Sequence, residues 1–457
     1  MSGIFGAYNT KGETVLEEVY LGLYALQHRG QESAGISWIE KNRVASAHGL
    51  GLLHNAIKQE KLAEKKASYA IGHVRYLPVD PSQPQNILPL GATYSRGPVA
   101  ISHDGCVTNL EEVTKTLENR GSIFHSATDS EAILHLMAQK SFMQPLDAFI
   151  DSLRMLEGSC AVAVILDGML VAARDLWGFK PLVVGKRNET YYIASESCAL
   201  DIVGAELIRD IEPGEILVID HKGMRSLKLR QKAPCERCMR CSFEYVYTAR
   251  PDSVIDGRSV YETRKEMGRL LAEKSPCKDA DLVAGMPDSG TISAIGYAQE
   301  SGTPFEIAVV RNRYVGRTFI QPTQKVRELG VKIKLNPISK VFNGKKAVIV
   351  DDSIVRGTTA ERIIDMIRTS GASEVHLRVA SPPVLYPCKY GIDTRKQESL
   401  AAVRMTLEEL RKKVNADSLN YLTEEDLIQA IGIPEDQLCT ACFTGKYLSQ
   451  KNTKDGE

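Results

Sequence analysis

The sequence predicts two domains of different class: a β-rich α+β domain over residues 1–230, then an α/β domain with a parallel sheet over 231–457. Three observations carry this reading. At 457 residues the chain exceeds what a single core organises, so two or three domains are expected. Short strand signals and a tight hairpin turn fill the first half. From about residue 244, apolar strands alternate with stretches of helical period.

Taken in order, residues 2–8 read as a strand and 17–26 have helical periodicity. Residues 161–166 and 169–173 flank Asp167-Gly168, a two-residue turn suited to a hairpin. Strands at 191–194 and 215–219 follow, and together these predict stacked sheets. In the second half the strand candidates are 282–285, 306–310, 346–350 and 375–380, and roughly 403–436 reads as helical. Between the first of these strands and its helix lies the polar turn Gly285-Met286-Pro287-Asp288-Ser289-Gly290, whose backbone N–H groups suit pyrophosphate.

Composition narrows the partners and the compartment. Lys plus Arg and Asp plus Glu are equal at 57, so neither nucleic acid nor a membrane surface is the expected partner. The start has no basic region followed by an apolar core, and no later apolar run is long enough for a bilayer, so a soluble, cytoplasmic protein is expected. Ten cysteines in such a chain point to metal or chemistry rather than disulfides.

The most informative stretch is 347–359. Ala347 to Val350 form an apolar run, followed by Asp351 and Asp352, and then a loop of small and polar residues from Ser353 through Arg356 and Gly357 to Thr358 and Thr359. The loop opens a helix that Thr358 or Thr359 can cap, with Ile363, Ile364 and Ile367 as its apolar face and Gly371 as its stop. A helix N-terminus favours phosphate, and paired carboxylates suit ribose hydroxyls or a hard cation. A sugar phosphate combines these groups. The stretch resembles the phosphoribosyl pyrophosphate (PRPP) loop of type I phosphoribosyltransferases, most closely that of the glutamine PRPP amidotransferases.

The same family is resembled along nearly the whole chain, in matching order. Residues 2–6, 26–35, 72–76, 103–109, Arg174-Asp175 and 194–197 are similar to its glutaminase domain, and 243–253 to its domain junction. The resemblance implies an N-terminal-nucleophile hydrolase fold (αββα) followed by a type I phosphoribosyltransferase domain. It implies that Ser2 stands where the family has its cysteine nucleophile, that Arg75 pairs with the glutamine α-carboxylate, and that Asp129 holds the α-ammonium. It places Asp104 and Gly105 at the oxyanion hole, with Asp104 where the family carries Asn. Losing one such donor costs about 2.7–4 kcal/mol in the barrier. The closing loop also departs: residues 77–81 read Leu-Pro-Val-Asp-Pro where the family continues Ser-Thr-Thr-Gly.

For the second domain the resemblance implies PRPP contacts from Asp288, Ser289, Asp351, Asp352, Ser353, Arg356, Gly357, Thr358 and Thr359. It implies that Arg311 and Arg317 belong to a loop that closes over the substrate, and Arg327, Lys332, Lys334 and Asn336 continue that match. Mg²⁺ is expected on Ser289, Asp351 and Asp352.

The cysteine spacings Cys235-x-x-Cys238-x-x-Cys241 and Cys439-x-x-Cys442 by themselves suggest a zinc or iron–sulfur site. The resemblance implies a [4Fe–4S] cluster on Cys241, Cys388, Cys439 and Cys442. Cys235 and Cys238 are then left over, as substitutes, bystanders or an extra site. Cys106, Cys160, Cys198 and Cys277 read as packing residues. The activity implied is amidophosphoribosyl transfer from PRPP with glutamine or ammonia as donor, the first step of purine synthesis. A PRPP-binding regulatory or scaffold paralogue without turnover is the alternative. Feedback purine nucleotides and a homo-oligomeric assembly are further expectations of the resemblance.

Overall fold

The protein is described by a computed structural model over residues 1–76, 83–230, 238–312, 335–394 and 396–448. Among the described residues before 230, thirteen strands build two sheets. They are β1 (Ser2–Asn9), β2 (Ser33–Glu40), β3 (Arg43–Leu50), β4 (Tyr69–Arg75), β5 (Leu90–Tyr94), β6 (Gly97–Val107) and β7 (Gly158–Leu166). β8 (Met169–Arg174), β9 (Val183–Arg187), β10 (Thr190–Ala194), β11 (Glu206–Asp210), β12 (Glu215–Asp220) and β13 (Gly223–Lys228) complete them. One sheet has the order β11-β9-β10-β1-β4-β2-β3 and the other β13-β12-β8-β7-β6-β5.

Alternation along the strands explains the stacking. Ile4, Ile71, Ala161, Ala163, Ile193 and Leu217 point into a core between the sheets. Their neighbours in sequence point outward: Phe5, Ala70 and Tyr192 share a core with helix Leu16–Ala25. On the other side Val162, Val164 and Val218 meet helices Asp129–Gln139 and Pro145–Leu153. The result is helix, sheet, sheet, helix. The hairpin expected at Asp167-Gly168 joins β7 to β8, both turn residues having positive φ (48° and 72°), as a type I′ turn requires.

The second half contains β14 (Arg240–Cys241), β15 (Val254–Ile255), β16 (Arg258–Ser259), β17 (Leu282–Gly285), β18 (Val309–Arg311), β19 (Leu335–Pro337), β20 (Lys346–Asp351), β21 (Glu374–Val379), β22 (Ser418–Tyr421) and β23 (Leu438–Cys439). Its central sheet is parallel, in the order β17-β20-β21-β22. Cores lie on both faces, which is why these strands read as continuous apolar runs.

Three expectations are corrected. The strand expected at 306–310 shrinks to β18, paired antiparallel with β19, while Phe305 makes a lone bridge to Val283. Pro304 has no N–H for the ladder, and Ile307 faces outward. The helical stretch expected at 403–436 is cut by β22, whose four residues are too short for periodicity to reveal. Finally, neither Thr358 nor Thr359 caps the helix Thr358–Thr369: the cap position is Gly357, at φ +79°, with no side-chain cap bond.

Candidate active site

The carboxyl ends of β17 and β20 assemble the first centre. Met286 N–H donates to the carbonyl of Val350 (2.9 Å), which ties the turn after β17 to the end of β20. Gly290 is required there, because a Cβ would stand 2.4 Å from that carbonyl oxygen. The Ser289 hydroxyl donates to Asp352, Ser353 Oγ donates to the other Asp352 oxygen (2.5 Å), and Asp351 accepts the N–H of Asp352 (3.0 Å). Burial, then the neighbouring Asp352, push the Asp351 carboxyl up. Burial also pushes Asp352 up, against its hydrogen bonds from Ser289 and Ser353 and the charge of buried Arg264. Two close carboxylates raised together gain from any cation or hydroxyl donors brought between them.

The loop beyond them ends in Gly357, whose left-handed backbone turns the chain into the helix. Arg356, Thr358 and Thr359 are exposed at this N-terminus. With no side-chain cap, the first N–H groups of a 12-residue helix face the loop for an anion to take. Arg311, at the end of β18, pairs with Asp288 in the turn, so the structure brings Arg311, Asp288, Ser289, Asp351 and Asp352 to one rim. Arg317, Arg327, Lys332 and Lys334 lie outside the described residues.

The second centre is at one end of the two-sheet domain. Ser2 opens β1, is buried, and pairs with Arg75 at the end of β4. Arg75 donates to the carbonyl of Asn86 (2.7 Å); burial lowers its pKa, and nearby Asp129 opposes this. Asp129 begins its helix and accepts the N–H of Val107 (2.8 Å) from β6. Asp104 and Gly105 lie on β6, and Gly105 at φ +145° has no room for a Cβ, which would meet the Ser159 carbonyl at 2.1 Å. These five residues thus share one end of the domain. The closing loop at 77–81 lies outside the described residues.

Asp104 is 2% exposed and pairs with Arg29 (3.2 Å). Burial alone would raise its carboxyl, but Lys180, the chain-terminal amine and Arg29 outweigh it and bring the pKa down to about 2. Asp104 is therefore ionised at neutral pH. Arg29 is itself fully buried and donates to Ser2 O (2.7 Å), Glu196 (2.7 Å) and Glu244 (2.9 Å), while Lys180 donates to Glu244 (3.2 Å). The Met1 amine donates to Gly391 O (2.8 Å), and burial lowers its pKa to about 6.

The cysteines converge between the domains. Cys241 on β14 lies opposite Cys439 on β23 in a parallel pair. Burial, then the charges of Cys241, Cys439 and Cys388, push the Cys442 thiol up. Burial pushes Cys241 up to about 12 against the pull of Lys180, with Glu244 and Cys388 adding to the rise. Cys388 Sγ accepts the N–H groups of Tyr390 (3.3 Å) and Ile392 (3.4 Å). Phe179, Tyr390, Ala441 and Trp177 pack around Cys388 and Cys439. Among the described residues no three His, Cys, Asp or Glu are close enough for one metal ion. Cys241, Cys388 and Cys439 all act on the Cys442 thiol through their charge, so the four sulfurs lie in one neighbourhood. Cys238 is buried, and Cys235 lies outside the described residues.

A glutamine amidotransferase domain family matches residues 81–201. An amidophosphoribosyltransferase of Methanocaldococcus jannaschii is 43% identical over 99% of this chain and 98% of its own. One from Bacillus subtilis is 42% identical over 98% of this chain and 94% of its own. The solved structure of B. subtilis glutamine PRPP amidotransferase complexed with ADP and GMP superposes with a TM-score of 0.90, covering 97% of each chain at 42% identity. The chain belongs to the amidophosphoribosyltransferase family.

In this amidophosphoribosyltransferase chain, sequence reasoning missed the charges that hold the centres in place. Arg29, Glu196 and Glu244 each sit inside a segment that carries the family resemblance, yet none was singled out. The available signal was a charge set among apolar or small residues, as in Phe243-Glu244-Tyr245. Lys180 and Arg264 lie in no such segment, and only the fold brings them to Glu244 and Asp352.

Proposed function

We propose that this chain is an amidophosphoribosyltransferase that forms 5-phosphoribosylamine and pyrophosphate from PRPP, the first step of purine synthesis, with ammonia as its effective nitrogen donor. The observation that carries the transferase reading is the uncapped helix N-terminus after Gly357 beside Asp351 and Asp352. Ser353, Gly357, Thr358 and Thr359 hold the 5-phosphate by backbone and hydroxyl donors, with Arg356 at the rim. Asp351 and Asp352 take the ribose hydroxyls. The turn at Asp288 and Ser289, with Arg311 and Arg317, receives the pyrophosphate. Nitrogen attacks C1, the C1–O bond to pyrophosphate breaks with its electron pair, and the nitrogen then sheds a proton. Ser289, Asp351 and Asp352 are the residues that would hold a Mg²⁺ ion, which would supply charge neutralisation for the departing group.

The first domain is read as an N-terminal-nucleophile glutaminase fold whose chemistry is impaired. Arg75 and Asp129 keep the glutamine handle. Ser2 supplies a hydroxyl, a poorer nucleophile near pH 7 than a thiol, and ionised Asp104 opposes the charge of an oxyanion. Cys241, Cys388, Cys439 and Cys442 are proposed to hold a [4Fe–4S] cluster that ties the C-terminal segment to both domains. The regulatory-paralogue alternative is not favoured, since the relatives are named as enzymes. Purine nucleotides as feedback ligands, a homo-oligomer and a cytoplasmic location complete the reading; among the described residues no helix is long and apolar enough to cross a membrane.

The test is pyrophosphate release from PRPP and Mg²⁺, with glutamine and then with an ammonium salt at raised pH. Release with ammonium and little with glutamine is expected. Robust glutamine-dependent release, lost on Ser2→Ala, would falsify the impaired-glutaminase reading and establish a working serine nucleophile.

A further inference from the structure

Tyr421 ends β22, two strands from Asp351. In the sheet register Asp351 lies opposite Val379, and Val379 lies opposite Tyr421. Residues in one row of a parallel sheet share a face, and the row two residues earlier confirms which face: Ile349, Leu377 and Leu419 all belong to the core under helix Thr358–Thr369. Asp351 and Tyr421 therefore flank Val379 on the side from which that helix N-terminus rises. The Tyr421 ring packs at the edge of this core. Its hydroxyl is buried and has no hydrogen-bond partner among the described residues. Burial, and then the charge of Asp351, push the phenol pKa up, so the two groups sense each other without being bonded.

A buried donor left unpaired is costly, and it calls for an explanation beyond packing. A Phe would fill the same space without that cost. We propose that Tyr421 is a positioning residue of the ribose-phosphate site, its hydroxyl donating to the Asp351 carboxylate once substrate is seated and so fixing the oxygens that face the sugar. The inference rests on the reading of this site as the PRPP site. Tyr421 lies about seventy positions from the loop it serves, in none of the segments that carry the family resemblance.

The experiment compares the full-length protein with Tyr421→Phe. Calorimetry with PRPP and Mg²⁺, without a nitrogen donor, should give a Kd roughly ten-fold weaker in the variant, the scale of one hydrogen bond to a charged group. With ammonium as donor, KM for PRPP should rise by a similar factor while kcat changes little. The ligand-free melting temperature should be unchanged or higher, and the rise on adding PRPP should be smaller than in wild type. A purely structural role predicts the reverse: a lower melting temperature without ligand and an unaltered Kd. Either of those two results overturns the inference for Tyr421 alone. If the wild-type protein itself bound no PRPP, the site reading would fall and this inference with it.

Discussion

At the scale of single residues, the deciding group is Asp104. Its carboxyl is held near 2 by Lys180, the terminal amine and Arg29 against the effect of burial. A group whose folded pKa lies below its ordinary value stabilises the protein above that ordinary value, and the contribution fades as pH falls through the folded one. Asp104→Asn should therefore cost about 2 kcal/mol at neutral pH, less than a fully broken buried pair because Arg29 keeps Glu196 and Glu244. Denaturant midpoints of variant and wild type should differ clearly at about pH 5, where Asp104 is ionised and the terminal amine is charged, and converge as pH drops from roughly 4 towards 2. A gap that widened below about pH 4 would contradict the assignment. In the proposed function the same residue also bears on the chemistry. Ser2→Cys with Asp104→Asn together should recover measurable glutamine hydrolysis, and either change alone much less, because nucleophile and oxyanion act in one step. Equal recovery from Ser2→Cys alone would show that Asp104 does not oppose the oxyanion.

Among elements, the loop and helix after β20 are the most exacting. Gly357 is left-handed, and a Cβ there would come within 3.3 Å of Leu410. Gly357→Ala should lower stability by about 1–2 kcal/mol and weaken PRPP binding, both measurable by thermal melts with and without ligand. Asp352→Ala should abolish pyrophosphate release with either nitrogen donor, since sugar binding precedes the donor's attack; wild-type release with ammonium would reject the role given to this loop. This element was largely legible in the sequence because a buried parallel strand, two acids and an Ile-faced helix each leave a local pattern. The hairpin at Asp167-Gly168 was legible for the same reason: its turn residues demand positive φ. What stayed hidden was non-local. β22 has four residues, too few to show a period, and it exists because β21 offers it an edge. The choice of Gly357 over Thr358 as the cap depends on a backbone angle that the preceding loop sets. The meeting of Arg29 with Glu244, 215 positions apart, is written in no local pattern.

For the whole molecule, the cysteine-bearing loop is also a wall of the first domain. Gly391 packs against Gly105, Tyr390 O accepts the Ser159 hydroxyl (2.9 Å), and Gly391 O accepts the Met1 amine. Anaerobically purified protein should be brown, with about four irons per chain. Cys388→Ser should bleach it and Cys235→Ser should not; zinc without iron would reject the ligand set. Because the loop touches β6, loss of colour in Cys388→Ser should be accompanied by faster amide hydrogen exchange at residues 104–107, which an isolated cluster site would leave unchanged.

The salt-linked centre at Arg29 also bears on how such a chain can change over generations. A domain that loses its reaction is ordinarily free to be deleted. Here Arg29 and Lys180 come from the first domain, and Glu244, 1% exposed, comes from the second. Deleting the first domain would leave Glu244 without the two cations that neutralise it, and Gly391 without the surface it packs on. Under the proposed loss of glutamine chemistry, the first domain would persist as a counter-ion and a wall, its nucleophile open to change long before its backbone.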